Sequence, residues 1–414
     1  MHGDVQGLIV AQRHLACDSP SPRYEVGILS GGLAIGGLIC LALALTYAVL
    51  VLLAVVVWEI RTLAARPATR RALPPVTILK PLCGTEPQLY GQLRSFCSQD
   101  YPSYQVIFGA RDATDAALVS ARRLQAELPS VSLDIVIDPT EHGGNRKASN
   151  LTNMLVHARH DVLVVADSDT LARPDYLLTV VAPLLNGAVG LVTSIYRSAA
   201  TPGLWSRLGA MYVNDWYMPS VLLAWLFGYR GYASGQTLCL RRSTLEAIGG
   251  FRAIANHLAD DHRLGQLVRS LGLHIVLSPA RVLVAHDEPS FAALEHHEMR
   301  WMRTLRVLRP RSFRLLFLSF SVPMAAVGLV ACAASSALDV TNWALFGATL
   351  IARLSLHFVT RPRARGLMLS DLWLLVLRDL LLCWVWARTF FFSRVVWRDH
   401  EFDVGADGVI QQER

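Results

Sequence analysis

Four apolar blocks divide the chain: Gly27 to Trp58, Leu315 to Leu338, Trp343 to Val359 and Leu372 to Phe392. The first is almost uncharged and exceeds the roughly 20 residues a helix needs to cross a bilayer, so it predicts a tilted spanning helix. Between the first two blocks the pattern changes to short apolar runs alternating with helix-like segments. Val76 to Leu79, Gln105 to Gly109, Ile135 to Ile137 and Val162 to Ala166 read as strands, with Val189 to Ser194 and Ile275 to Leu277 as later ones. Gln88 to Cys97 and Ala116 to Leu128 read as helices between them. Such alternation predicts a three-layer α/β domain, and the all-apolar Val162 to Ala166 reads as a buried strand of a parallel sheet.

The same pattern sets the organisation. Residues 1–26 form a short N-terminus, 27–58 an anchor, 59–75 an Arg- and Pro-rich linker and 76–290 the α/β domain. An amphipathic interfacial segment follows at 291–314, then apolar helices at 315–392 and a tail at 393–414. Arg61, Arg66, Arg70, Arg71 and Lys80 follow the first block, whereas a cleaved signal peptide carries its charge ahead of a shorter core. The positive-inside rule then puts the N-terminus outside and residue 61 onward in the cytosol, with the loop Arg361-Pro-Arg363-Ala-Arg365 also cytosolic. Arg378, Asp379 and Arg388 make the fourth block costly as a lipid-facing span but tolerable when packed against protein. If it spans, the tail lies outside; if it re-enters or lies flat, the tail stays in the cytosol.

Composition narrows the class. In a chain of 414 residues, 53% hydrophobic content is too high for an ordinary soluble enzyme. The net charge of +7 sits mostly beside the apolar blocks and in Arg300 to Arg314, which fits a membrane surface and makes nucleic acid an unexpected partner. Seven cysteines without a Cys-x-x-Cys spacing read as reduced structural thiols.

Five acidic or basic constellations carry candidate chemistry. Asp161-Val-Leu-Val-Val-Ala-Asp167-Ser168-Asp169 places carboxylates just past the carboxyl end of a strand, where open α/β sheets bind ligands. Asp167 and Asp169 can face one side of an extended chain, and hard oxygen donors suit Mg2+ or Mn2+ carrying a substrate diphosphate. Taken alone, an Asp-x-Asp pair is commonly a solvated turn or cap. In Phe108-Gly-Ala-Arg111-Asp112-Ala-Thr-Asp115 a strand again ends in carboxylates able to accept from a ribose or base edge, and Asp115 reads equally as a helix cap. Gly143-Gly144-Asn145-Arg146-Lys147-Ala-Ser-Asn150 presents cations at a helix start, where a diphosphate binds, although an ordinary loop has the same composition.

Ala259-Asp260-Asp261-His262 supplies a carboxylate to take a proton from an attacking hydroxyl, its pKa raised by the like charge beside it; the bland alternative is an N-cap. Finally, His296-His297-Glu298-Met299-Arg300-Trp301 offers an Arg to clamp departing phosphate charge and a Trp to line a sugar or nucleotide pocket. Standing alone it would be an interfacial helix with Trp and Arg at the headgroups.

With these motifs in order, joined by Leu79-Lys80-Pro81-Leu82-Cys83-Gly84-Thr85-Glu86-Pro87, Gln99-Asp100-Tyr101-Pro102 and Asn214-Asp215-Trp216, residues 60 to 310 resemble the ceramide glucosyltransferase type of membrane glycosyltransferases in families 2 and 21. Within that type the chain is most similar to the bacterial hopanoid-biosynthesis-associated branch. The resemblance implies an α/β GT-A fold, a Rossmann-like nucleotide-diphospho-sugar transferase domain in the cytosol. N-terminal and C-terminal transmembrane helices would hold it in a bacterial inner membrane. It implies inverting transfer from a UDP-sugar, UDP-N-acetylglucosamine in the hopanoid branch, to a hydroxyl of a membrane lipid such as a bacteriohopanepolyol. The alternative within the family is ceramide glucosylation with UDP-glucose.

Carried over residue by residue, Lys80, Asp112, Lys147, Asn150, Asp167 and His297 fall at donor-binding positions, and Asp167 with Asp169 at the Mg2+ or Mn2+ site. Asp261 corresponds to the catalytic base, with Asp260, Arg300 and Trp301 completing the catalytic set. Arg300 and Trp301 end the motif usually written (Q/R)xxRW, whose first position here is His297. A retaining route needs a second nucleophile that the motifs do not offer. A processive synthase needs more spans after the catalytic domain, and a catalytically dead scaffold would have no reason to keep every acidic position.

Overall fold

The computed structural model describes residues 22–64, 73–86, 88–360, 370–391, 395–397, 400–404 and 408–412. Residues 1–21, Arg66, Arg70, Arg71, Pro87, Arg361, Arg363 and Arg365, which carry topological or motif roles in the sequence, lie outside the described residues.

Alternating burial builds the frame. In β1 (Val76–Pro81), β2 (Tyr104–Ala110), β3 (Ser132–Ile137) and β4 (Val162–Val165), successive side chains point to opposite faces of the sheet. Ile78, Val106 and Val164 pack into one apolar cluster, and Leu79, Ile107, Leu163 and Val165 into the other. Burial on both faces explains why these strands read as continuous apolar runs. With β5 (Thr170–Ala172), β6 (Val189–Ala200), β7 (Leu238–Arg241) and β8 (His274–His286), they form one sheet in the order β3-β2-β1-β4-β7-β6-β8-β5.

The sheet is mixed, which corrects the parallel reading of Val162 to Ala166. β4 is parallel to β1 but antiparallel to β7, and β7 is antiparallel to β6. β5 and β7 are too short to stand out as apolar runs. β6 and β8 are longer than their sequence signals because they continue past the main sheet as a parallel pair, with a register shift between Ser194 and Tyr196. The chain moves from β1 outward through β2 and β3, then returns to β4 on the other side of β1. This reversal opens a crevice at the carboxyl ends of β1 and β4, where ligands bind in sheets of this kind.

Helices cover both faces: α1 (Pro22–Ala64), α2 (Leu89–Phe96), α3 (Ala117–Glu127), α4 (Arg146–Leu155), α5 (Tyr176–Val181), α6 (Leu204–Tyr212), α7 (Met218–Leu226), α8 (Arg242–Ala247) and α9 (Asp260–Ser270). A π-helical turn, Val213–Tyr217, joins α6 to α7. The C-terminal part comprises α10 (Phe291–Leu308), α11 (Pro310–Arg314), α12 (Ser321–Ala334), α13 (Val340–Thr360) and α14 (Ser370–Thr389).

Among the described residues, two helices are long and apolar enough to cross a membrane, Leu29–Ala64 within α1 and Val340–Thr360. The second apolar block is not one helix: a 3-10 turn at Leu316–Ser319 and the 14-residue α12 share it. α1 and α12 touch through glycine, since a Cβ on Gly37 would stand 2.7 Å from Gly328 O and one on Gly328 2.6 Å from Gly37 O. Backbones approach this closely only where side chains are absent.

The charges of the fourth block find partners. Arg378 forms a two-pronged pair with Glu298 of α10 at 2.5 and 2.8 Å, and Asp379 accepts from Arg353 of α13 at 3.0 and 3.2 Å. Arg388 and Trp384 both reach Glu295 of α10. Elsewhere α14 exposes Leu372, Trp373, Val376 and Leu380. Beyond it, β9 (Val395–Trp397), β10 (His400–Val404) and β11 (Ile410–Gln412) form a small antiparallel sheet. Its end returns to the α/β domain: Leu258 N donates to Gly408 O at 3.0 Å and Ile410 N to Asn256 O at 2.8 Å. The tail thus packs back against the α/β domain.

Candidate active site

The crevice is centred on Gly235. Its N–H donates to Asp261 Oδ2 at 3.0 Å and its carbonyl accepts from Asp167 N at 3.2 Å, so one peptide ties the start of α9 to the loop after β4. A Cβ here would lie 2.6 Å from Lys147 Nζ and 2.7 Å from Asp167 Oδ2, leaving no room for any other residue. Sequence reasoning missed this position, because a glycine in a Ser-Gly-Gln turn carries no chemistry of its own.

Lys147 sits in the first turn of α4, whose start is fixed by Asn145 accepting from Ala148 N at 3.0 Å. Its ammonium contacts Asp167 Oδ1 at 2.5 Å and Asp260 Oδ2 at 3.5 Å. Burial opposes that charge, but Asp167, Asp260 and Asp261 outweigh it and raise the pKa. The Gly-rich loop thus delivers a cation between the two acidic motifs. Asn150, one turn on, is buried and donates to Gly109 O at 2.8 Å, binding α4 to the end of β2.

Lys80, fully buried at the end of β1, donates to the carbonyl of Asp167 at 2.7 Å and lies 3.7 Å from the Phe96 ring centre. Burial drives its pKa down to about 7, with Asp169 and Asp167 opposing. From this position the ammonium supports the acidic loop from beneath. Asp169 is pushed up to about 7 by burial and by the neighbouring carboxylates Asp167 and Glu86. Ser168 Oγ donates to Glu86 Oε1 at 3.0 Å, bringing Glu86 into the cluster although no motif marked it as a site residue.

Asp261 accepts from Gly235 N and, at 2.6 Å, from His262 N. Burial, then the adjacent Asp260, raise its pKa to about 6. Neither aspartate is the N-cap of α9, a place taken by Ala259. The charge of Asp261 also reaches Tyr217 and Tyr232, whose hydroxyl pKa values burial already raises. These tyrosines were not singled out in the sequence.

The remaining positions are held by contacts of their own. Asp112 is exposed after β2, its Oδ1 accepting from Thr114 N at 2.8 Å and Thr114 Oγ1 at 2.7 Å. Asp115 accepts from Ala117 N and from Gly84 N, both at 2.9 Å, so it caps α3 and also holds the loop after β1. On α10 the Trp301 ring lies 5.2 Å from Tyr212 and 4.2 Å from His297, and Arg300 is half-buried beside it. His297 turns toward Glu288, with Nδ1 to Oε1 at 2.7 Å.

A sheet whose switch-point crevice gathers Asp167, Asp169, Asp260 and Asp261 around the half-buried Lys147 defines an α/β domain of the GT-A type. The chain belongs to glycosyl transferase family 21, whose profile matches residues 38–410. Over 239 residues it is 23% identical to ceramide glucosyltransferase 1 of Caenorhabditis elegans, covering 58% of this chain and 51% of that protein. It is 31% identical over 135 residues to ceramide glucosyltransferase of Candida albicans, covering 30% and 25%. The chain spans about half the length, or less, of these curated relatives. Among solved structures, it is similar to mannosyltransferase PcManGT from Pyrobaculum calidifontis in complex with GDP-Man and Mn2+, at 20% identity and a TM-score of 0.49 over 86% of this chain and 99% of that one.

Proposed function

We propose that the chain is a membrane-bound, inverting glycosyltransferase that moves a sugar from a UDP-sugar to a hydroxyl of a membrane lipid. The observation that carries this reading is Asp261, a carboxylate held by the Gly235 N–H one peptide from Asp167, with a pKa raised to about 6. A base poised near neutral pH accepts the acceptor's proton as the hydroxyl attacks the face of the anomeric carbon opposite the leaving diphosphate. One base suffices for inversion.

The acidic loop fits a divalent ion. Asp167, Asp169 and Glu86, all half-buried, crowd together, and Asp169 is pushed toward protonation there, an excess of oxygen charge that a hard dication relieves. Asp167 and Asp169 would hold Mg2+ or Mn2+, whose charge offsets that of the departing UDP. Lys147 adds a fixed cation on the donor side, while Lys80 orients the loop through the Asp167 carbonyl. Asp112, after β2, and Asn150, one turn past Lys147, would complete the donor side, and Arg300 with Trp301 would serve the acceptor side.

The helical layer supports placement in a membrane. α1 exposes Leu29, Leu33, Ile35 and Leu53, and α13 exposes Val340, Trp343 and Ile351, continuous apolar surface that lipid would cover. α10 and the exposed face of α14 would lie at the headgroups, so that an acceptor lipid stays in the bilayer and only its polar head rises to Asp261. We assign a bacteriohopanepolyol acceptor and UDP-N-acetylglucosamine donor, in a bacterial inner membrane with the α/β domain cytosolic. Ceramide with UDP-glucose is the second reading, favoured by the relatives' names.

Membranes containing the chain, offered UDP-N-acetylglucosamine and UDP-glucose separately against bacteriohopanetetrol and ceramide, test this by product mass. Hexosamine on the hopanoid supports the first reading and glucosylceramide the second. Absence of both product and UDP release with every pair would leave only a non-enzymatic scaffold.

A further inference from the structure

We propose that His286, Glu288 and His297 form a second cation site, suited to a divalent ion of the zinc class and separate from Asp167 and Asp169. His286 ends β8, Glu288 lies in the loop that follows, and His297 is in the second turn of α10. Three pieces of chain thus converge on one point. Glu288 Oε1 lies 2.7 Å from His297 Nδ1 and 3.4 Å from His286 Nε2, and the three donor atoms all fall within 4.8 Å of one another. Ligands held about 2.1 Å from a tetrahedral centre stand roughly 3.4 Å apart, so small side-chain rotations suffice to close this set on an ion.

A second observation points the same way. His286 is 4% exposed, and its Nε2 has no hydrogen-bond partner among the described residues. Buried imidazole nitrogens are ordinarily satisfied, and an unpaired one aimed at a carboxylate oxygen is what a ligand set lacking its ion looks like. The surroundings fix the geometry. Glu288 N donates to Ser206 Oγ at 2.8 Å, and Gly209 leaves space for the imidazole, since a Cβ there would stand 2.1 Å from His286 Nε2.

Ligand chemistry separates the two sites. Two imidazoles and a carboxylate select zinc-class ions, whereas the all-oxygen Asp167 and Asp169 suit Mg2+ or Mn2+. The histidine set holds α10 against β8 one turn before Trp301, whose ring lies 4.2 Å from His297. An ion there would fix the placement of Arg300 and Trp301. The inference does not depend on the transfer reaction proposed above.

The test is Zn2+ titration of the full-length chain in detergent, after chelator stripping and without any nucleotide sugar, with bound metal measured by elemental analysis. One equivalent is expected, retained by Asp169→Ala, with affinity about 100-fold weaker in Glu288→Gln and in His286→Asn. The half-buried His297→Gln gives an independent reading should the buried variants fail to fold. Co2+ in place of Zn2+ should give ligand-field bands that the same variants abolish. No retained zinc, or zinc lost in Asp169→Ala but kept in His297→Gln, would overturn the proposal.

Discussion

The crevice beyond β1 and β4 and the polar seam between α10, α13 and α14 both bury several charges, yet they treat them in opposite ways. In the seam each carboxylate meets a matching cation: Glu298 with Arg378, Asp379 with Arg353, Glu295 with Arg388. Asp215 of the π-helical turn accepts from His357 Nδ1 at 2.7 Å, Thr360 Oγ1 at 2.9 Å and Arg353 at 3.4 Å. In the crevice, Glu86, Asp167, Asp169, Asp260 and Asp261 face Lys80 and Lys147, an excess of negative charge that raises Asp169 and Asp261 well above ordinary carboxylates. Matched charges lock helices; unmatched charges leave groups ready to take a cation or a proton.

The largest expected effect is in the crevice. Asp261→Asn keeps the Gly235 contact but removes the base, and should lower transfer by about 10²–10⁴-fold with UDP-sugar affinity nearly unchanged, read by product formation and by titration calorimetry. Parent-like turnover in this variant would move the base elsewhere. The seam should respond in stability instead. Arg378→Leu strands Glu298, which is 0% exposed, and should cost about 3–5 kcal/mol, seen as early loss of the detergent-solubilised protein on heating. Adding Glu298→Leu should restore most of it; no recovery would mean the pair serves more than packing.

Gly235→Ala separates the two regions at a single atom. Its new Cβ must push Lys147 or Asp167 aside, so turnover should fall by about 10²-fold with little change in thermal midpoint. The smallest effect is in pH. Asp261 works only when ionised, and its pKa is raised to about 6, so activity should be flat above that value and fall about tenfold per unit below it. A rate independent of pH between 5 and 7 would remove that carboxylate from the rate-limiting proton transfer.

Much of the frame was legible because local chemistry announces it. Val76 to Leu79, Gln105 to Gly109 and Val162 to Ala166 are buried on both sides, so their apolar runs had to be strands. Asp167, Lys147, Asp260 and Asp261 could be nominated from motifs that end strands or begin helices, and the structure brings them together. Gly235 could not be nominated, since its importance is the absence of a side chain where three elements meet. β7 was hidden for a related reason: Leu238–Arg241 is short, and its antiparallel place between β4 and β6 is a pairing, not a pattern.

The sequence by itself determined which segments are apolar enough to leave water, which short runs must be strands, and which carboxylates follow them, because these depend on neighbours along the chain. Only the tertiary structure decided the rest. That Arg378 and Asp379 are tolerated in α14 depends on Glu298 and Arg353, 80 and 26 residues away. Where the tail packs depends on Gly408 and Ile410 pairing with Leu258 and Asn256. Burial and charge pairing are properties of neighbours in space, and no periodicity along the chain encodes them.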